Sequence, residues 1–174
     1  MVYFITEYLQ TDNKAAELTL FIRLIYLYLK PGSYIKTDKH MGISTVTDQN
    51  WHIVRYSAEE KECWDRFVRR SKNGTFLLQR DYMGYHAERF QDCSLLIYCN
   101  QKLTALLPGN LSGDCFYSHQ GLTYGGILLS ASITLAQAES AFCTALNYLH
   151  TECGVQSLVY RAIPHIYHRY PAEE

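Results

Sequence analysis

Ser94 to Cys99 (SLLIYC), Asn100 to Lys102 (NQK) and Leu103 to Leu107 (LTALL) decide how this chain folds. Two apolar runs flank a short polar turn and stop at Pro108, which reads as an antiparallel hairpin. Asn110 to Asp114 turns the chain again, and Cys115 to Ser118 (CFYS) follows as another strand, so three consecutive strands are expected to form a meander.

Upstream, His52 to Tyr56 (HIVRY) alternates as a short strand. Ser57 then stands three residues before Glu60, the spacing of a capping box in which hydroxyl and carboxylate each satisfy a free backbone amide. The helix that follows carries Cys63, Trp64, Phe67 and Val68 on one face and is expected to end at Asn73-Gly74 in a left-handed cap. Phe76 to Phe90 (FLLQRDYMGYHAERF) reads as a short helix and loop.

Downstream, a glycine-rich loop at Gln120 to Gly126 precedes a long helix from about Thr134 to Glu152. Leu135, Ala138, Phe142, Ala145, Leu146 and Leu149 make its apolar stripe, and Gly154 is placed to terminate it. Val155 to Arg161 (VQSLVYR) is the next strand. The order β-α-α-β-β-β-α-β predicts an α/β (α+β) fold from about Trp51 onward.

At 174 residues the chain can bury one good core, so a single domain with an N-terminal appendage is expected. Sixteen basic against 17 acidic residues leave a net charge of -1, which offers no long-range attraction to a phosphate backbone and argues against DNA as a partner. The six cysteines contain no C-x-x-C pair and mostly sit in apolar runs, which reads as buried thiols in a reducing, cytoplasmic setting. Fifteen tyrosines are in excess and suit a polar-lined cleft or an interface.

The most apolar stretch, Leu18 to Leu29 (LTLFIRLIYLYL), is too short, with Arg23 inside it, to span a hydrocarbon layer of about 30 Å. It reads as a packed or loosely docked helix ended by Pro31-Gly32, with a membrane-surface element as the alternative. No signal-peptide cleavage pattern follows it, and Met41 would make an alternative start.

Two segments could carry chemistry. Ser118 to Gly126 (SHQGLTYGG) places three glycines and a histidine between a strand and a helix, where backbone amides can approach a phosphate or a carbonyl oxygen. A bulge or turn that needs glycine for its dihedral angles explains the same residues. Ile163 to Tyr170 (IPHIYHRY) follows the last strand with two histidines and two tyrosines, in keeping with a cleft wall, a general base or a purely structural turn. No carboxylate or cysteine completes a ligand set with His165 and His168, so no metal is assigned. The basic cluster Arg66, Arg69, Arg70 and Lys72 reads as the solvated face of the first helix. No nucleophile elbow, P-loop, H-E-x-x-H or dinucleotide fingerprint is present.

Taken together, S-K-N-G-T-F within Trp64 to Tyr82, the hairpin, S-H-x-G-L-T-Y-G-G and P-H-I-Y-H-x-Y-P-A-E-E resemble the FemAB-like branch of the GNAT-fold acyltransferases, bacterial acyl-CoA N-acyltransferases. The resemblance runs from about His52 to Glu174. It implies a GNAT-like mixed, mainly antiparallel sheet flanked by helices, with residues 46–174 as an N-terminal half-domain, incomplete at the C-terminus, and residues 1–45 as an unmatched extension. It implies transfer of an acyl or aminoacyl group from acyl-CoA or aminoacyl-tRNA, as co-substrate, to an amine or hydroxyl of a cell-envelope or sugar precursor. No tightly bound cofactor is implied. Carried onto this sequence, His119, His165 and Tyr167 are the catalytic candidates, Gly121, Gly125 and Gly126 would meet the donor, and Ser118 and Tyr124 would meet the substrate. The Q/R-x-x-G-x-G/A pyrophosphate loop of ordinary GNAT enzymes is not matched by Gln120 to Gly126. A non-catalytic module that binds an acceptor or a partner chain, with homodimerisation through an exposed sheet edge, is the alternative expectation.

Overall fold

A computed structural model of the chain describes residues 50–85 and 87–169. The apolar Leu18 to Leu29 segment and the rest of the N-terminal extension lie outside the described residues, as do His86, Tyr170 and the P-A-E-E segment. The fold is α+β, with two mainly antiparallel sheets.

The hairpin forms as β3 (Leu95–Cys99) and β4 (Lys102–Leu107). Asn100 and Gln101 both take positive φ, 48° and 66°, as a two-residue turn between right-twisted strands requires. The Asn100 Oδ1 accepts from the Asn50 amide at 3.1 Å, tying the turn to the start of β1 (Trp51–Arg55). A register shift between Ile97 and Tyr98 bulges β4, because Ile97 faces Ala105 while Tyr98 faces Leu103. With β7 (Leu128–Leu129) these strands make the first sheet, in the order β1-β3-β4-β7.

Leu95, Leu96 and Ile97 are all fully buried, so this sheet is covered on both faces. On one face Leu96, Leu106 and Leu128 pack with Trp64 and Val68 of α1 (Lys61–Arg70), with Leu78, and with Met83 of α2 (Arg80–Gly84). The Trp64 indole nitrogen donates to Leu78 O at 2.8 Å and so satisfies its only polar group. On the other face lies α3 (Leu135–Cys153), which contacts β1, β3 and β4 and buries Ala141, Phe142, Ala145 and Leu149. The expected stripe therefore forms from Phe142 onward, while Leu135 at its start is exposed.

The meander does not form. After β4 the chain leaves the first sheet, and Asn110–Ser112, expected to be part of a turn, becomes strand β5. It pairs with β6 (Cys115–Tyr117), so the predicted CFYS strand exists but belongs to a second sheet, in the order β2 (Gln91–Asp92), β5, β6, β8 (Ser157–Val159). β2 (Gln91–Asp92) and β7 have only two residues each, too few to leave a periodic signature. β8 (Ser157–Val159) runs parallel to β6, and every other strand pair among the described residues is antiparallel.

Helix ends differ from expectation in two places. Ser57 makes no side-chain capping bond, because Ala58–Glu60 first forms a 3-10 turn and the α-helical segment starts at Lys61. At the other end α1 stops at Arg70, before Asn73-Gly74: Ser71 is extended and its hydroxyl bonds back to Val68 O at 2.9 Å. Gly74 is not left-handed but tightly packed, since a Cβ there would lie 2.1 Å from Val68 O. The capping box belongs instead to α3: Thr134 Oγ1 accepts from the Gln137 amide at 3.3 Å, and Gln137 Oε1 accepts from the Thr134 amide at 3.2 Å. Gly154, at φ 68°, closes α3 as its position predicted.

Candidate functional site

The parallel pair β6 and β8 organises the site. The ladder extends past the strands, with the Ser118 amide donating to Val159 O at 2.9 Å. The Ser118 side chain, 1% exposed, then accepts from the Arg161 amide at 2.7 Å. Both candidate segments thus leave from the carboxyl ends of parallel strands, the position where α/β sheets open a crevice.

The glycine-rich loop folds back on the exit of β8. Gly125 N donates to Arg161 O at 3.0 Å, and a Cβ on Gly125 would sit 1.8 Å from Ser118 O, so a side chain there would force the two passes of the loop apart. Gly126 takes φ 86°, and beside it the Ile127 amide donates to the Tyr160 hydroxyl at 3.0 Å. Desolvation pushes the Tyr160 phenol up to about 12, only partly opposed by that amide bond. At the loop's other end Gln120 N donates to Asn110 Oδ1 at 2.9 Å, and Asn110 Nδ2 donates to Gln120 Oε1 at 2.7 Å. The loop leads into β7 and Ser130 to Thr134 before α3 begins, so no glycine amide of the loop stands at the start of α3. The amides of His119, Gln120, Leu122, Gly125 and Ile127 all donate to protein acceptors.

Tyr124 and Tyr167 are the predicted residues that come together. Their ring centroids lie 5.3 Å apart with planes inclined by 31°. The Tyr124 hydroxyl donates to Thr75 Oγ1 at 3.1 Å, crossing to the segment after α1. These side chains, with Phe76, Thr123 and Arg169, line a cleft of about 530 Å³. Tyr124 is buried, whereas Tyr167 and Phe76 expose 44% and 66% of their surface, so the cleft has a closed aromatic floor and an accessible rim. A smaller hollow of about 310 Å³, walled by Lys102, Ser130, Ser132 and Gln137, contains none of the predicted site residues.

The rim is held from both sides. Asn73, buried, donates to Ile127 O at 2.8 Å and accepts from the Leu129 amide at 3.0 Å, so it acts as one more rung beside β7 and fixes Gly74 to Phe76. Arg169 N donates to Lys72 O at 2.7 Å, and its guanidinium donates to Arg69 O. Arg169 is thereby held at the cleft against the main chain that follows α1, while the Lys72 ammonium donates to Ile133 O at 3.2 Å, beside the smaller hollow.

The remaining predicted residues lie elsewhere. Ser118, Gly125 and Gly126 form the buried support behind Tyr124. His119 is buried, takes φ 75° and has its ring edge-on to Phe90 at 6.2 Å, away from the cleft lining. Gly121 is half-buried in the same loop. The backbone of His165 enters the 3-10 turn His165–Tyr167 that presents Tyr167, while its side chain lies outside the description. Thr75, Phe76, Thr123 and Arg169 were not singled out by sequence; Thr75 and Phe76 do fall within the S-K-N-G-T-F segment that carries the resemblance. Compared with known proteins, the chain matches no protein-family model, and no curated protein matches it.

Proposed function

We propose that residues 50–169 are an acyl-transfer module of the GNAT, FemAB-like type. It moves an acyl or aminoacyl group from acyl-CoA or aminoacyl-tRNA to an amine or hydroxyl of a cell-envelope or sugar precursor. The observation that carries this reading is the convergence of Tyr124 and Tyr167, from the two segments that leave the parallel pair β6 and β8, on one open cleft.

Acyl transfer needs positioning more than covalent machinery. The acceptor nitrogen or oxygen attacks the carbonyl carbon, the carbonyl oxygen becomes an oxyanion, and collapse expels the thiol or the ribose hydroxyl while the acceptor loses a proton. Tyrosine faces bind the apolar part of a ligand, and the Tyr167 and Thr123 hydroxyls provide donors at the rim. Arg169 brings a positive charge to the cleft lining, which suits the phosphates that both donor classes carry. Among the catalytic candidates Tyr167 lines the cleft and is assigned first, as oxyanion donor or proton acceptor. His165 sits two residues away, and His119 supports the loop from behind.

Turnover tests this directly. The full chain is incubated with a set of acyl-CoA thioesters, or with aminoacyl-tRNA, and an amino sugar, and the acceptor's mass is read. A mass increase equal to the acyl group is expected, and its absence with every donor would overturn the catalytic assignment.

A second reading is favoured by β8. Among the described residues this strand ends its sheet and pairs with β6 alone, which leaves an edge where a partner strand can add. A non-catalytic module of this kind would bind a donor or acceptor without turnover and would self-associate in sedimentation; a monomer at all concentrations speaks against it.

A further inference from the structure

Cys93 and Cys153 lie with their sulfurs 3.9 Å apart, although they are 60 residues apart in sequence. Cys93 sits between β2 of the second sheet and β3 of the first, 1% exposed, with its amide held by Gly109 O at 2.9 Å. Cys153 is the last residue of α3, half-buried and next to the left-handed Gly154. A helix end is where a side chain can change rotamer without disturbing a ladder of backbone bonds, and a disulfide of about 2.05 Å needs the sulfurs to close by roughly 2 Å. The other four cysteines have no sulfur partner of this kind among the described residues.

We infer that Cys93 and Cys153 form a reversible dithiol–disulfide site, oxidised by exchange with a small-molecule disulfide such as oxidised glutathione. The Cys153 thiolate attacks one sulfur of the small disulfide and releases one thiol, leaving a mixed disulfide on Cys153. Cys93 gives its proton to solvent, its thiolate attacks the Cys153 sulfur, and the second small thiol leaves. Two protein thiols and one disulfide thus become one protein disulfide and two thiols.

The division of roles follows from position. Burial and the neighbouring Cys153 push the Cys93 thiol up to about 12, so the more accessible Cys153 meets the oxidant first. Arg55 brings positive charge to the pair, with its guanidinium donating to Asp92 O at 3.2 Å. Once Cys153 is capped, its charge no longer opposes ionisation of Cys93. The closed bond would tie the end of α3 to the junction of the two sheets, a link that closes a long loop and restrains the unfolded chain.

The test uses the full chain, equilibrated in glutathione buffers from fully reduced to fully oxidised, then trapped with a maleimide and weighed. Oxidation is expected to protect two thiols, to join the peptides containing Cys93 and Cys153, and to raise the melting temperature by roughly 10 °C. Cys153→Ser, a small change at a half-buried position, should abolish the cross-link and the shift together. A cross-link between any other pair, or no cross-link in buffers that oxidise the urea-unfolded chain, would overturn the assignment. Because the wild-type peptide map identifies the bond, the result does not depend on how well any variant folds.

Discussion

The rings of Tyr124 and Tyr167 lie 5.3 Å apart across the junction of two segments that leave neighbouring parallel strands. Neither strand alone builds this contact. It exists because Ser118 and Arg161 are joined by a side-chain bond that makes the two exits diverge from a fixed point.

Replacing that bond should therefore cost stability before it costs anything else. Ser118→Ala leaves the part-buried Arg161 amide without its acceptor, and a loss of about 1–2 kcal/mol is expected in urea unfolding. A loss below about 0.5 kcal/mol would mean that another acceptor takes over.

Arg80 offers a second test of how the site is supported. Its guanidinium lies 3.3 Å from the Tyr56 ring centroid and 3.8 Å from that of Trp64, and it pairs with Asp92 at 2.5 Å. Desolvation lowers its pKa, opposed by Asp92, yet an arginine remains charged at neutral pH. Arg80→Met should destabilise the fold by about 1–2 kcal/mol, chiefly through the lost contact of the guanidinium with the two rings, since Asp92 is half exposed and keeps its bond from the Ser94 amide. Arg80→Lys should restore little, since a compact ammonium cannot fill the slot between two rings. Equal stability of the lysine variant and the wild type in thermal unfolding would contradict this.

The strand-to-helix start, the hairpin, the long helix and its glycine cap are legible in the sequence because each has a period or a terminator that local physics dictates. Trp64 and Val68 fall four apart on one helical face, and Gly154 ends a stripe. What is not legible is which sheet a strand joins. Asn110–Ser112 looks like a turn because Asn110 and Ser112 are turn formers and Gly113-Asp114 follows, and only pairing with Cys115–Tyr117 makes it a strand. The same holds for the site. Tyr124 and Tyr167 are visible as tyrosines in unusual loops, but Thr75, Phe76 and Arg169 become cleft residues only through long-range bonds made by Asn73 and Lys72.

Helix α3 illustrates how narrowly such signals compete. Ser57 and Thr134 are both followed three residues later by a residue able to reach back, and only Thr134 does so. Thr134→Ala should cost about 1 kcal/mol, and Ser57→Ala should fall within about 0.5 kcal/mol of the wild type in thermal unfolding. Reversal of that order would show the cap misassigned.

Alkaline pH should act through Tyr160. Its phenol ionises at about 12 in the folded chain against an ordinary value of 10.0, so the folded state holds the proton longer than the unfolded state. Stability is unaffected by this group below pH 10 and falls as pH rises from 10 towards 12. Tyr160→Phe should start less stable, having lost the acceptor for the Ile127 amide, and should show a shallower decline over that window. Parallel profiles for the two proteins would rule out this source.

The cleft itself is tested most directly by calorimetric titration of a CoA thioester, and separately of an aminoacyl-tRNA, into the wild type and into Tyr167→Ala. Tyr167 is 44% exposed, so its removal should leave the fold within about 1 kcal/mol of the wild type. The account predicts that one donor binds the wild type and that the substitution weakens it about tenfold through the lost aromatic face. Failure of both donors to bind, or equal affinity for the wild type and the folded variant, would contradict it.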